Sequence, residues 1–191
     1  MIFGKRSVFS SAAFITAAFL SACGSSTSNA PANPAATSST SAGDIPDTAN
    51  YLTFRRAGFS ISYVEGWAIR LNPLGGVAIS DKDSSETVSI LRSSRNLKSF
   101  SSADLAQLAS TAPRFRLLSK QTVALPAGSS IYAKYRTLSP PDPVTSKRVT
   151  VIVDRYYVSG PAKLATLTLA TPLGVDNVDA FKLISRSFRW K

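Results

Sequence analysis

Short runs in which apolar and polar residues alternate occupy most of the chain from residue 51 onward. The runs FSISY (59–63) and WAIRL (67–71) each alternate with a period of two, which is typical of a half-buried strand. Turn-forming residues, such as Gly75 and Gly76, separate successive runs. Short strands joined by tight turns pair in antiparallel fashion. The pattern therefore limits this region to a domain built on an antiparallel sheet.

Two segments break the alternation and predict helices. The first begins at Ser101 as a capping residue, carries Leu105 and Leu108 on one face, and ends at Pro113. The second begins near Asp176 and ends among basic residues. Its predicted buried stripe is Val178, Phe181, Ile184 and Phe188. About eight strands are predicted, at 59–63, 67–71, 77–80, 88–91, 115–125, 130–138, 148–158 and 162–171.

These elements predict an α+β domain in which helices pack on an antiparallel sheet. The strand at 148–158 is apolar on both faces through its middle, which predicts an interior position in the sheet. The loop at 139–146 contains three prolines and is predicted to lack regular structure.

The only cysteine, Cys23, lies where an apolar run gives way to serine and threonine. The run follows Lys5 and Arg6 and is about 13 residues long, which is too short to span a bilayer and typical of a signal peptide. The residues LSAC (20–23) resemble the bacterial lipobox, in which a diacylglycerol is attached to the cysteine and the signal peptide is removed before it. We therefore predict a signal peptide at 1–22 and lipidation at Cys23, which anchors the protein to the cell membrane on its extracytoplasmic face. The alternative is an ordinary secretory signal.

Residues 23–50 are predicted to be a disordered linker, because Ser, Thr, Ala, Asn, Pro and Gly supply nearly all of them. The segment 51–191 is then one domain. With Cys23 lipidated, the mature chain has no disulfide, and an apolar core alone must stabilise this domain.

The predicted domain is strongly basic. Residues 51–191 contain 20 Lys and Arg against 9 Asp and Glu, which favours an anionic partner such as phospholipid headgroups, an acidic envelope polymer or an acidic protein. Nucleic acid is not expected as a partner of an exported protein. Tyr132, Lys134 and Arg136 share one side of a predicted strand, which either receives an anionic partner or is an ordinary solvent face.

Most familiar catalytic machinery is excluded. The chain has no histidine and no thiol besides Cys23, so Ser-His-Asp and Cys-His sites cannot form. Asp81, Asp83 and Glu86 resemble a fragment of a calcium loop, but the glycine and the distant bidentate glutamate of such a loop are missing. A solvated hairpin turn is the simpler interpretation. We expect neither a metal, nor another cofactor, nor enzymatic activity, with a carboxylate-based envelope hydrolase or transferase as the alternative.

Four segments in order resemble PsbP-like domains, which include lipid-anchored cyanobacterial PsbP and actinobacterial lipoproteins. They are GFSISYVEGW (58–67), GVAISD (76–81), TVSI (87–90) and SFRW (187–190). Val64 replaces a proline that is usual in the family. The resemblance covers residues 51–191 and implies an α/β/α sandwich that serves as a binding or assembly module. It implies no metal site here, because the family's metal ligands include histidine.

Sequence and resemblance together predict a lipid-anchored accessory or binding lipoprotein of the bacterial envelope. Its basic domain would be presented to a protein complex or to an anionic lipid or polymer. A photosystem II assembly or accessory factor is a more specific alternative, which the resemblance does not favour over non-photosynthetic lipoproteins.

Overall fold

The computed structural model describes residues 43–72 and 75–191. The predicted signal peptide, Cys23 and the linker as far as residue 42 lie outside the described residues. Across those described ranges, no helix is long and apolar enough to cross a membrane.

The described part of the chain contains ten strands and two helices. In chain order they are β1 (Tyr51–Arg56), β2 (Phe59–Val64), β3 (Ala68–Leu71), β4 (Val77–Ser80), β5 (Ser85–Arg92), α1 (Leu97–Thr111), β6 (Arg116–Leu125), β7 (Gly128–Leu138), β8 (Thr150–Gly160), β9 (Lys163–Pro172), α2 (Val178–Ser187) and β10 (Arg189–Trp190). The eight predicted strands are all present, and β1 and β10 are additional.

The strands form two antiparallel sheets. The larger sheet has seven strands in the order β3-β4-β5-β9-β8-β7-β6, and the smaller has three in the order β1-β2-β10. This arrangement confirms the predicted α+β class. It also confirms an interior position for β8, which pairs with β7 on one side and β9 on the other. The large sheet begins at β3 in chain order, and β2 pairs with β1 and β10 in the small sheet.

The large sheet carries a different layer on each face. On one face, apolar side chains of β2 and α2, including Phe59, Ile61 and Phe181, pack against buried residues of β4, β5 and β9 such as Leu167. On the other face, Leu105 of α1 packs against buried residues of β7 and β8. We call these the α2 face and the α1 face. Adjacent residues of a strand point to opposite faces, so Tyr156 packs on the α2 side and Tyr157 on the α1 side.

Helix α1 begins earlier than its sequence pattern predicts. Its N-cap is Asn96, whose side chain accepts a hydrogen bond from the Lys98 backbone N–H. The prediction that Ser101 caps the helix is wrong: Ser101 is buried within the helix and donates to the Lys98 carbonyl. The apolar contacts of Leu97 and Phe100 explain the difference, because they add a turn of packed helix before Ser101.

Helix α2 follows its predicted stripe except at its start. Phe181, Ile184 and Phe188 are buried, whereas Val178 is exposed. The prediction for Val178 is wrong because the residue that points inward at the start of α2 is Asn177, which is 3% exposed.

The Asn177 side chain joins α2 to two distant segments. Its Nδ2 donates to Gly43 O, Ser84 Oγ and Thr171 Oγ1 at 3.0–3.2 Å, and its Oδ1 accepts from the Ile45 N–H at 2.7 Å. Ile45 also packs against the core. The end of the predicted linker that the structure describes therefore contacts the domain before Tyr51.

Candidate anionic-partner interface

Strands β6 and β7 place a group of basic residues on the α2 face of the large sheet. Residues 132, 134 and 136 alternate with buried residues of the α1 face along β7, so Tyr132, Lys134 and Arg136 share one side, as the period-two pattern indicates. The register of β6 places Arg116 directly opposite Arg136. We call Arg116, Tyr132, Lys134 and Arg136 the basic face.

A pair of like charges stands at one end of the basic face. Side chains directly opposite in an antiparallel pair have Cβ atoms about 4.5–5.5 Å apart, and like charges there destabilise the sheet. Arg116 and Arg136 are both exposed, and within the described residues neither makes an ion pair. The sheet therefore carries an electrostatic cost at this point that its own residues do not offset.

Asp154 of β8 is the acidic residue that contacts the basic face. Its Oδ1 accepts a 2.6 Å hydrogen bond from the Tyr132 hydroxyl and lies 3.8 Å from Lys134 Nζ. Asp154 is buried, whereas the Lys134 side chain is 34% exposed. Asp154 thus offsets one of three positive charges and leaves the basic face with an excess of two.

Tyr132 is held in place by its neighbours. Its ring centroid lies 5.0 Å from that of Tyr156, and its hydroxyl bonds to Asp154. Burial, together with the hydrogen bond to Asp154, raises the pKa of the Tyr132 hydroxyl above its ordinary value. Tyr132 therefore remains a neutral hydrogen-bond donor and positions Asp154.

The basic face is not covered by the second layer of the domain. Arg116, Ser119, Gln121 and Arg136 are all exposed, although they lie on the same face as α2 and the small sheet. A surface that is basic and open has the chemistry to bind an anionic group of a partner.

The predicted weak metal candidates do not come together. Asp81 and Asp83 are exposed, and Asp81 Oδ1 accepts from the backbone N–H groups of Asp83 and Ser84, which closes the turn between β4 and β5. Glu86 is instead fully buried on β5. In the described ranges, no group of three or more His, Cys, Asp or Glu side chains is arranged to hold a metal ion.

Sequence reasoning missed a partly buried ion pair on the α1 face. Arg155 donates to both carboxylate oxygens of Asp104 at 2.9 and 3.1 Å, and Tyr157 donates to the same carboxylate at 2.7 Å. Arg155 also donates to Thr168 Oγ1 at 2.7 Å. Asp104 and Arg155 border a pocket of about 310 Å³. The local signal was misleading, because an acidic residue three positions after Ser101 resembles a capping box.

Known proteins support the fold. No protein-family model matches the chain, and no curated protein matches it. Among solved structures, cyanobacterial PsbP of Synechocystis sp. PCC 6803 matches with a TM-score of 0.53 and 15% identity, covering 78% of this chain and 98% of that one.

The fold is PsbP-like. The Ran-binding protein Mog1p of Saccharomyces cerevisiae is equally similar, with a TM-score of 0.53, 14% identity, and coverage of 74% of this chain and 96% of that chain. Both identities are too low to indicate more than a shared fold. A PsbP-like fold alone therefore does not select a partner for this chain.

Proposed function

We propose that this protein is a non-enzymatic, lipid-anchored binding module of the bacterial envelope, in which the basic face contacts an anionic partner. The observation that carries the proposal is the Arg116–Arg136 pair with Lys134 beside it. A sheet that carries three positive charges on one side, of which only Lys134 is paired with a carboxylate, gains from a partner that brings negative charge. The lipid anchor at Cys23 and a position on the outer side of the membrane belong to the same proposal.

The hydrogen bonds of Asp104 and Asp154 support a role other than catalysis for these two carboxylates. Asp104 accepts hydrogen bonds from Arg155 and Tyr157, and Asp154 accepts one from Tyr132. Carboxylates held in this way are poor candidates for a general base. No observation favours a carboxylate hydrolase. The similarity to PsbP and the similarity to the Ran-binding protein Mog1p are equally strong, so neither a photosystem role nor binding of Ran is favoured.

A photo-crosslinking experiment tests the proposal. Ser119 is exposed beside the basic face, opposite Lys134. In the full chain, a photo-crosslinking amino acid replaces Ser119. Native membranes that contain this variant are then irradiated. We expect a discrete adduct at low salt, and we expect it not to form when the membranes are irradiated at high salt, since electrostatic contacts are screened.

Charge reversal on the basic face provides the matched comparison. The substitutions Arg116→Glu, Lys134→Glu and Arg136→Glu should weaken capture by about 100-fold or more, because close interfacial charge pairs each couple by roughly 1.5 kcal/mol or more. The control reverses Arg55, Arg70 and Arg95, which are exposed elsewhere, and changes the net charge equally. An adduct that survives reversal of the basic face, or that both sets remove equally, would contradict the proposal.

A further inference from the structure

Exposed apolar side chains are concentrated at one corner of the large sheet. The corner consists of the start of β6, the end of β7, the connecting loop 139–149, the start of β8 and the end of β9, which register brings together. Five of the eleven exposed large hydrophobic side chains in the described ranges lie there. They are Leu117, Leu118, Val144, Val149 and Leu173, and they are between 43% and 89% exposed. We call this region the loop corner.

Val144 is the most exposed of them, at 89%, and the loop holds it in a defined position. Asp142 Oδ1 accepts hydrogen bonds from the Val144 and Thr145 backbone N–H groups and from the Thr145 hydroxyl, at 2.7–3.0 Å. The Asp142 backbone is also bonded to Lys147 and Ser146, both at 2.8 Å. An apolar side chain is thus displayed at the tip of a turn that is closed by its own hydrogen bonds.

The acidic group of this turn is satisfied internally. The hydrogen bonds from Thr145 and Val144 lower the pKa of the Asp142 carboxyl. Its negative charge is therefore stabilised by backbone N–H groups of the same loop, directly beside Val144.

The loop corner is otherwise basic. Lys147 and Arg148 follow the tip in the loop, and the Arg148 guanidinium bonds to the Ser139 carbonyl at 3.2 Å. Arg114 and Arg136 line a pocket of about 200 Å³ with Leu138 and Leu173. Besides Asp142, Asp83 lies near the loop, in a cleft that Lys82 also lines. Positive charge and exposed apolar surface thus occupy the same corner.

We propose that the loop corner docks on the surface of a membrane that contains anionic phospholipid. Val144 would enter the boundary between headgroups and acyl chains, and Lys147, Arg148 and Arg114 would contact lipid phosphates. An apolar tip surrounded by basic residues is the combination that binds anionic bilayer surfaces, since each part contributes a separate favourable term. An acidic protein surface would match the charges and leave Val144 in water. The inference extends the proposed function, on which it rests for the protein's position at a membrane.

Site-specific labelling tests this orientation. In the full chain with Cys23→Ala, no native thiol remains, so Val144→Cys or Ser94→Cys is labelled with a polarity-sensitive fluorophore. Ser94 is exposed and follows β5 at the opposite end of the sheet. Phosphatidylglycerol-containing vesicles should shift the emission of the label at position 144 to the blue and leave that at position 94 unchanged. Pure phosphatidylcholine vesicles should shift neither.

Charge reversal at the tip distinguishes this inference from the proposed function. Lys147→Glu with Arg148→Glu should weaken vesicle binding by about 30-fold or more, because each basic residue near an anionic surface contributes roughly a fivefold factor in affinity and the glutamates add repulsion. The same pair should leave crosslinking at position 119 intact. Equal emission shifts at positions 144 and 94 would overturn the inference, and so would vesicle binding that is unchanged by Lys147→Glu with Arg148→Glu. Neither result would contradict the proposal for the basic face. If the crosslink at position 119 fails to form but the label at position 144 still shifts to the blue, the proposed function is contradicted and the membrane-docking inference stands.

Discussion

Glu86 is the residue whose surroundings differ most from those of an ordinary ionisable side chain. It is fully buried on β5, with Ile79 and Leu169 opposite it on the neighbouring strands. Within the described residues, neither carboxylate oxygen has a hydrogen-bond partner. Burial raises the pKa of this carboxyl well above its ordinary value of 4.5. The folded protein therefore holds Glu86 in its neutral form at a pH at which the unfolded chain releases the proton.

This residue predicts a loss of stability at higher pH. Because the folded pKa lies above the unfolded one, the contribution of Glu86 is fully present below about pH 4.5 and is lost as the pH rises through the folded pKa. Within that window, the free energy of unfolding should fall by up to about 1.4 kcal/mol per pH unit. Urea unfolding across a pH series measures the slope.

Two substitutions at this position separate charge from polarity. Glu86→Gln and Glu86→Met should both remove this part of the slope, because neither side chain titrates. Glu86→Met should be the more stable of the two, since it buries no unsatisfied amide. If both variants keep the wild-type dependence of the free energy of unfolding on pH, a group other than Glu86 must titrate in that pH range.

At the scale of elements, the Asp104–Arg155 pair joins α1 to β8. The Arg155 and Asp104 side chains are only 16% and 22% exposed, and their two hydrogen bonds form a bidentate pair. Removing one member of such a pair leaves the other as a buried charge without its partner, which costs more than the pair itself contributes. The position of α1 therefore depends on charge as well as on apolar packing.

The prediction at this scale concerns Asp104→Asn. It should lower the free energy of unfolding by about 3 kcal/mol and accelerate hydrogen exchange of the α1 amides. Asp83→Asn is the matched control, because Asp83 is exposed and surface substitutions typically change stability by about 0.5 kcal/mol or less. Equal effects of the two substitutions would show that the pair does not hold the helix.

At the scale of the whole molecule, the proposed lipid anchor at Cys23 and the basic surfaces of the domain should hold the protein at a membrane through different chemistry. We expect Cys23→Ala to remove lipid labelling and to release the protein from membranes washed at high salt, where electrostatic binding is screened. At low salt, part of the variant should remain attached through the basic surfaces. Metabolic labelling with a palmitate analogue and membrane fractionation measure both effects. A variant that still takes up the label would show that the lipid is attached elsewhere.

Local sequence patterns were enough to predict the features that depend on neighbouring residues. Alternation at a period of two predicted eight of the ten strands and the shared side of Tyr132, Lys134 and Arg136. The α+β class follows from the same pattern together with the two helical segments. These inferences succeeded because a strand or helix exposes its periodicity within a few residues.

Tertiary structure alone decided how the elements meet. Strand β2 pairs within the small sheet, Arg116 stands opposite Arg136, and Asp104 bonds to Arg155, which lies 51 positions away. Each of these contacts depends on register and packing between segments that are distant along the chain, and a shift of one residue would turn every side chain of a strand to the other face. A local pattern contains no information on that register, so the partners of the charged residues appear only in the folded domain.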